Sequence, residues 1–191
     1  MKRLFFRVCT ANLADEDFVA DLMTRFNYDK KDSSEIKMML KTVSNAIMNR
    51  DYAEVILEED HADVAYSLGE NIDKVIEDLS GKGQVKRQLL CENIVSYLMF
   101  LGYDAINGII EEKSGKIISN YAFWGDEGLD FDEIGNEIKR FEKIDIKTAE
   151  GYCFLPQKSV LYRCFYGDRS YRGRGPLCND CIRRKNGQCN Y

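Results

Sequence analysis

The stretch from about Gln84 to Glu112 constrains the fold most. Val85, Leu89, Ile94, Leu98, Leu101, Ala105 and Ile109 recur along it at helical spacing, and no proline interrupts it. A helix of that length runs for roughly 40 Å at 1.5 Å per residue. Its broad apolar stripe has to be covered by other elements, so the pattern predicts a central core helix. The rest of the chain can supply that cover: 191 residues suffice for one well-filled core, or one core with an appendage. Apolar content of 45% and charged content of 31% are ordinary for a soluble globular protein. By composition, no stretch approaches the roughly 20 apolar residues of a membrane helix. With only two prolines, long Pro-rich linkers are excluded.

The remaining elements follow from period and punctuation. Residues 2–9 predict a short strand around Leu4, Phe5, Phe6 and Val8. A helix is expected from about Asp15 to Phe26, with acids at its positive end and Phe18, Leu22 and Phe26 on one face. A second helix is expected from Ser33 to about Asn49, with Ile36, Met39, Leu40, Val43 and Ile47 inward. Tyr52 to Glu58 and Asp63 to Leu68 predict strands. Gly69 opens a helix that Ser80-Gly81-Lys82-Gly83 breaks. Beyond the long helix, Lys116 to Phe123 is expected to be extended, Asp130 to about Phe141 helical, and Lys143 to Phe154 and Lys158 to Tyr166 strands. Helices and strands mix without a regular βαβ rhythm, so the class predicted is α+β. The organisation predicted is a body over residues 1–167 and a basic, Cys-rich tail over 168–191.

That tail holds Cys178, Cys181 and Cys189 among Arg183, Arg184 and Lys185. Thiols spaced Cys-x2-Cys-x7-Cys in a polar, Gly-containing stretch point to metal ligation, cluster ligation or redox chemistry, with incidental thiols as the plain alternative. A closed zinc site wants four ligands. Cys164 is the nearest candidate for the fourth and Cys153 the next. The three tail sulfurs are expected to converge, and the neighbouring cations favour their thiolate forms.

Other chemistry is thinly supplied. His61 is the single histidine, and Glu-Glu-Asp-His-Ala-Asp predicts a solvated connection. No Ser-His-Asp set, phosphate-cradling glycine loop or GxGxxG occurs, so hydrolase, kinase and dinucleotide readings lose their usual supports. Charge is uneven. Residues 1–157 carry 19 Lys/Arg against 30 Asp/Glu, a net of −11, and residues 158–191 carry 8 against 2, a net of +6. The basic end suits a phosphate, a nucleic acid or an acidic partner, or else compensates thiolates or a cluster. A nucleic-acid role is disfavoured, because the body is acidic and the tail's aromatics do not interleave with its basic residues. Met1 to Thr10 holds three basic residues but no long apolar run, and seven cysteines is an odd number. Both predict a cytoplasmic protein and no membrane association.

From Ala65 onward, four blocks occur in an order that resembles the activation (S-adenosylmethionine-binding) domain of cobalamin-dependent methionine synthase. They are Ala65-Tyr66-Ser67-Leu68-Gly69, the long helix, Tyr121-Ala122-Phe123-Trp124-Gly125-Asp126-Glu127-Gly128-Leu129, and Gly151 to Val160 with its Pro156-Gln157-Lys158-Ser159-Val160. Small stand-alone relatives also end in a Cys-rich tail. The resemblance implies a single curved α+β domain around a twisted antiparallel sheet with flanking helices. It implies an accessory subunit that supports reductive methylation of cobalamin by S-adenosylmethionine. The cobalamin would sit on a partner methyltransferase module, and a separate donor would supply the electron. The family's ligand motif, R-x-x-x-G-Y, falls on Ser119, Phe123 and Trp124, all three different, followed by the matching Gly125 and Asp126. Loss of the Arg removes a charged fork for a carboxylate, so weak or absent S-adenosylmethionine binding is expected. Trp124, Gly125 and Asp126 are expected to line a groove. The alternative is a zinc- or iron–sulfur-bearing accessory protein that reuses the fold for electron delivery or corrinoid-protein docking.

Overall fold

The computed structural model describes residues 1–13, 16–124, 129–149 and 153–168. Its frame is a five-stranded antiparallel sheet. The strands are β1 (Lys2–Arg7), β2 (Tyr52–Leu57), β3 (His61–Ser67), β4 (Ile118–Phe123) and, after a short two-stranded ribbon of β5 (Lys147–Thr148) and β6 (Phe154–Leu155), β7 (Ser159–Tyr166). The order across the sheet is β1-β2-β3-β7-β4. Register is set by pairs such as Leu4 with Val55, Val55 with Val64, and Val64 with Tyr162.

Four helices cover one face: α1 (Glu16–Phe26), α2 (Ser33–Ile47), α3 (Glu70–Gly81) and α4 (Val85–Ser114). Helix α4 is the long helix expected from the apolar stripe. It ends at Gly115, whose left-handed φ of 69° lets its N–H reach the Glu111 carbonyl at 2.9 Å. By length and composition α4 is apolar enough to cross a membrane. Here Leu90, Ile94, Leu98, Ile106 and Ile110 fill the main core against Val55, Val64 and Tyr162. Each such side chain contributes about 1.5–3 kcal/mol on burial.

Strand alternation then decides the opposite face. Ile56, Ala65, Leu161, Ala122 and Trp124 point away from the helices. They form a second cluster with Leu129, with Ile134 of the short helix α5 (Ile134–Ile138), and with Phe141 and Ile146. The sheet is therefore buried on both faces.

Three expectations need correction. The helix expected over 130–141 is a 3-10 turn, Phe131–Glu133, followed by the one-turn α5. The chain then tightens through Arg140 N–H to Glu137 and Phe141 N–H to Ile138, both 3.0 Å, so that Phe141 reaches the second cluster. The strand expected over 143–154 is reduced to β5 and β6. The backbone amides of Glu142, Lys143 and Ile144 are already taken by the Glu54 carboxylate, at 3.0, 2.7 and 3.0 Å, so they do not join a ladder. His61 is not in a solvated connection: it opens β3 and is largely buried, with Nδ1 2.6 Å from Asp60 and Nε2 3.5 Å from Asp63.

Candidate functional site

The second face carries most of the buried charge. Asp63, fully buried, accepts from Arg163 Nε at 2.6 Å and Nη2 at 3.1 Å, and from Arg140 Nη1 at 2.6 Å. Arg140 also binds Glu137 at 2.7 Å and Glu58 at 3.1 Å. Two guanidiniums around one carboxylate satisfy a charge that burial alone would make costly. Arg163 lies over the Trp124 ring, 5.5 Å from its centroid. Glu54 is a second buried acid on this face. Besides its three amide contacts, it lies 3.8 Å from Arg3, which also donates to the Arg140 carbonyl. Together these contacts tie the 140–144 segment to the sheet.

That tether forms one wall of a groove of about 720 Å³ at the Tyr52–Ser67 end of the sheet. Phe5 and Tyr52 stack on the sheet side, with centroids 5.1 Å apart and planes within 8°. Lys143 sits 5.7 Å over the Phe5 ring. The start of α3 forms the facing wall. Gly69, φ +82°, packs so closely on Arg50 that a Cβ there would lie 2.7 Å from the Arg50 Cβ. Arg50 also lines the groove. Ser67 Oγ accepts from the Gly69 N–H at 3.0 Å and bonds Ser159 Oγ at 2.8 Å. Asp73 accepts from the Gln157 N–H at 2.8 Å, and burial pushes its carboxyl above the usual range.

Two of the resemblance blocks therefore meet. Ala65–Gly69 and Lys158–Val160 lie side by side through Ser67 opposite Ser159, Tyr66 opposite Val160, and Leu68 N–H donating to the Lys158 carbonyl at 3.0 Å.

The residues carried over from the ligand motif do not share a pocket wall. Ser119 sits at a bulge in β4 near Tyr166, with its hydroxyl donating to the Phe165 carbonyl at 3.2 Å. Trp124 lies beyond the far end of β4, 5% exposed in the second cluster, and its buried Nε1 has no hydrogen-bond partner. It does not line the groove. Gly125 and Asp126 lie outside the described residues, as do Cys178, Cys181 and Cys189. Cys164 is fully buried on the core side of β7, and burial pushes its thiol well up. Its side chain packs in the main core with Ile118, Tyr121 and Tyr162. Cys153 is exposed. Among the described residues no group of three His, Cys, Asp or Glu side chains is arranged to hold a metal.

Sequence reasoning missed the Asp63–Arg163–Arg140 network and the groove. A signal for the network was present: Glu54, Asp63 and Arg163 interrupt otherwise apolar strands at alternating positions. No protein-family model matches this sequence, and no curated protein matches it.

Proposed function

We propose that this chain is a stand-alone, activation-type subunit that docks on a corrinoid-bearing methyltransferase, methionine synthase or a related enzyme, and supports its reductive remethylation. The supporting observation is the side-by-side placement of Ala65–Gly69 and Lys158–Val160, two blocks that resemble the family and are far apart in sequence. S-adenosylmethionine fits the carried-over positions poorly. The Ser119 hydroxyl is engaged by its own sheet and the Trp124 ring is enclosed. The test mixes the purified chain with an inactive cob(II)alamin-form methyltransferase, S-adenosylmethionine and a reductant. A stable complex on gel filtration and faster return to the methylated enzyme are expected. Absence of both would end this reading.

A second reading, a thiol-ligated zinc or iron–sulfur accessory protein, is favoured by the Cys-x2-Cys-x7-Cys spacing. In this reading the fourth ligand is the exposed Cys153 or, if the core opens around it, the buried Cys164. Metal analysis and the visible spectrum of anaerobically purified protein test it: stoichiometric metal that is lost on Cys178→Ser supports it, and metal-free protein with full activity refutes it.

A further inference from the structure

The two edges of the main sheet differ. On β4 the register shifts between Ile118 and Asn120, and such a bulge blunts an edge. On β1 the register with β2 runs without a shift from Lys2 to Arg7. The Val8 N–H donates to the Asp51 carbonyl at 2.8 Å, one step beyond the pairing of Arg7 with Tyr52. Bonded residues alternate in an antiparallel ladder. Lys2, Leu4, Phe6 and Val8 therefore turn their backbone groups to β2, and Arg3, Phe5 and Arg7 turn theirs outward. Among the described residues nothing accepts the outward N–H groups of these three. Phe5 is 39% exposed, and Lys2 and Arg7 are exposed beside it. The charge of the strand has one sign, with Lys2, Arg3 and Arg7 and no acid, although residues 1–157 together carry a net of −11. Arg3 is held by Glu54 at 3.8 Å and Glu142 at 3.4 Å. Lys2 and Arg7 have no ion pair among the described residues.

We propose that the outer edge of β1 binds an extended, acidic segment of a partner protein as a further antiparallel strand. The outward backbone groups of Arg3, Phe5 and Arg7 supply the main-chain bonds of strand addition. Carboxylates at the two ends of the segment meet Arg7 and Lys2, about 17 Å apart along an extended strand. An apolar residue between them packs on the exposed face of Phe5, as cross-strand neighbours do. A second copy of β1 is the poorer occupant, because two-fold pairing sets three cations of one strand against three of the other, and like charges across a pair destabilise it. The proposal goes beyond the docking reading, which assigns no surface of this chain.

The test is an NMR titration of the purified, isotope-labelled chain with the peptide acetyl-Asp-Val-Tyr-Val-Thr-Glu-amide. Saturable binding at about 1 mM or tighter is expected. The amides of Arg3, Phe5 and Arg7 shift and exchange more slowly with solvent, whereas those of Leu4 and Phe6, already bonded to β2, change little. The same peptide N-methylated at its third and fifth residues keeps its charge but loses the donors that face the edge, and it binds at least about tenfold weaker. A peptide with Lys at both ends is weaker by a similar factor. Lys2→Glu, at an exposed position, retains the fold and weakens binding about threefold. No saturable binding, equal affinity of the N-methylated peptide, or a dimer of the free chain that itself protects the three amides overturns the proposal. The titration contains no corrinoid protein, so its failure leaves the docking reading standing.

Discussion

The phenol of Tyr66 on β3 rests directly on the backbone of Gly102 in α4: a Cβ at Gly102 would lie 2.3 Å from the Tyr66 oxygen and 2.5 Å from Cζ. Tyr66 is fully buried, and burial pushes its hydroxyl well above its ordinary pKa. The long helix can lie this close to the sheet only because residue 102 has no side chain. Gly102→Ala therefore destabilises the protein by about 1–3 kcal/mol through overpacking. Gly108, on the same helix, has open space where its Cβ would be. Gly108→Ala stabilises by about 0.5–1 kcal/mol. Urea denaturation of the two variants gives shifts of opposite sign.

Glu54 holds three consecutive backbone amides with two oxygens. An amide in its place turns an NH2 toward at least one of those N–H donors. Glu54→Gln thus costs about 2–3 kcal/mol, and it loosens the 142–144 wall of the groove. The check is the unfolding midpoint together with faster hydrogen exchange at Lys143 and Ile144.

Removal of the Asp63 charge leaves Arg163 and Arg140 facing each other across a buried amide. Asp63→Asn costs about 3–5 kcal/mol. Asp63→Leu combined with Arg163→Met recovers part of that loss, because Arg140 keeps Glu58 and Glu137. A double-mutant cycle reads the coupling. Additive losses would show that the two side chains are energetically independent.

Asp73 has a distinct pH signature. Its folded carboxyl is raised above the ordinary 3.8, chiefly by burial and in part offset by the Gln157 amide. The folded state then holds that proton more tightly than the unfolded chain, so ionisation weakens the fold as pH rises through the raised value. The penalty is absent below the ordinary pKa and complete above the raised one. The stability of Asp73→Asn relative to the parent therefore improves between about pH 3 and about pH 7. Chemical denaturation at the two pH values checks the sign, and a difference that shrinks with pH would contradict it.

The cysteines separate by environment. Burial pushes the Cys91 thiol up to about 11 and Cys164 well up, whereas Cys153 is exposed. Iodoacetamide at about pH 8 labels Cys153 well ahead of Cys91 and Cys164. Cys91 and Cys164 react only as the native state opens, so their rates rise with added denaturant. Mass spectrometry of timed digests reads this, and labelling of Cys164 at the rate of Cys153 would place it outside the core.

Local periodicity carried most of the architecture. The apolar repeat of 84–112, the Gly69 and Gly81–Gly83 breaks, and the runs around Tyr52–Leu57 and Ser159–Tyr166 each specify an element, because a helix or strand with one matching apolar face has a single way to bury it. The repeat alone sufficed to identify α4 as the longest element. It did not specify which strands become neighbours. The placement of β7 between β3 and β4, and the meeting of Ser67 with Ser159, are long-range pairings that close only in the folded chain. The second face was hidden for the same reason. Glu54, Asp63 and Arg163 look like interruptions in apolar strands until Arg140 and the 142–144 amides arrive from far along the chain to satisfy them. Lys143–Phe154 looks extended in isolation, but a carboxylate from β2 takes its first amides. Trp124 looks like a ligand platform in isolation, but Arg163 and the second cluster enclose it. Sequence alone thus determined where chain segments bury apolar area. Tertiary structure decided which charges meet and which stay uncommitted, because a buried ion is tolerable only beside partners that folding brings to it.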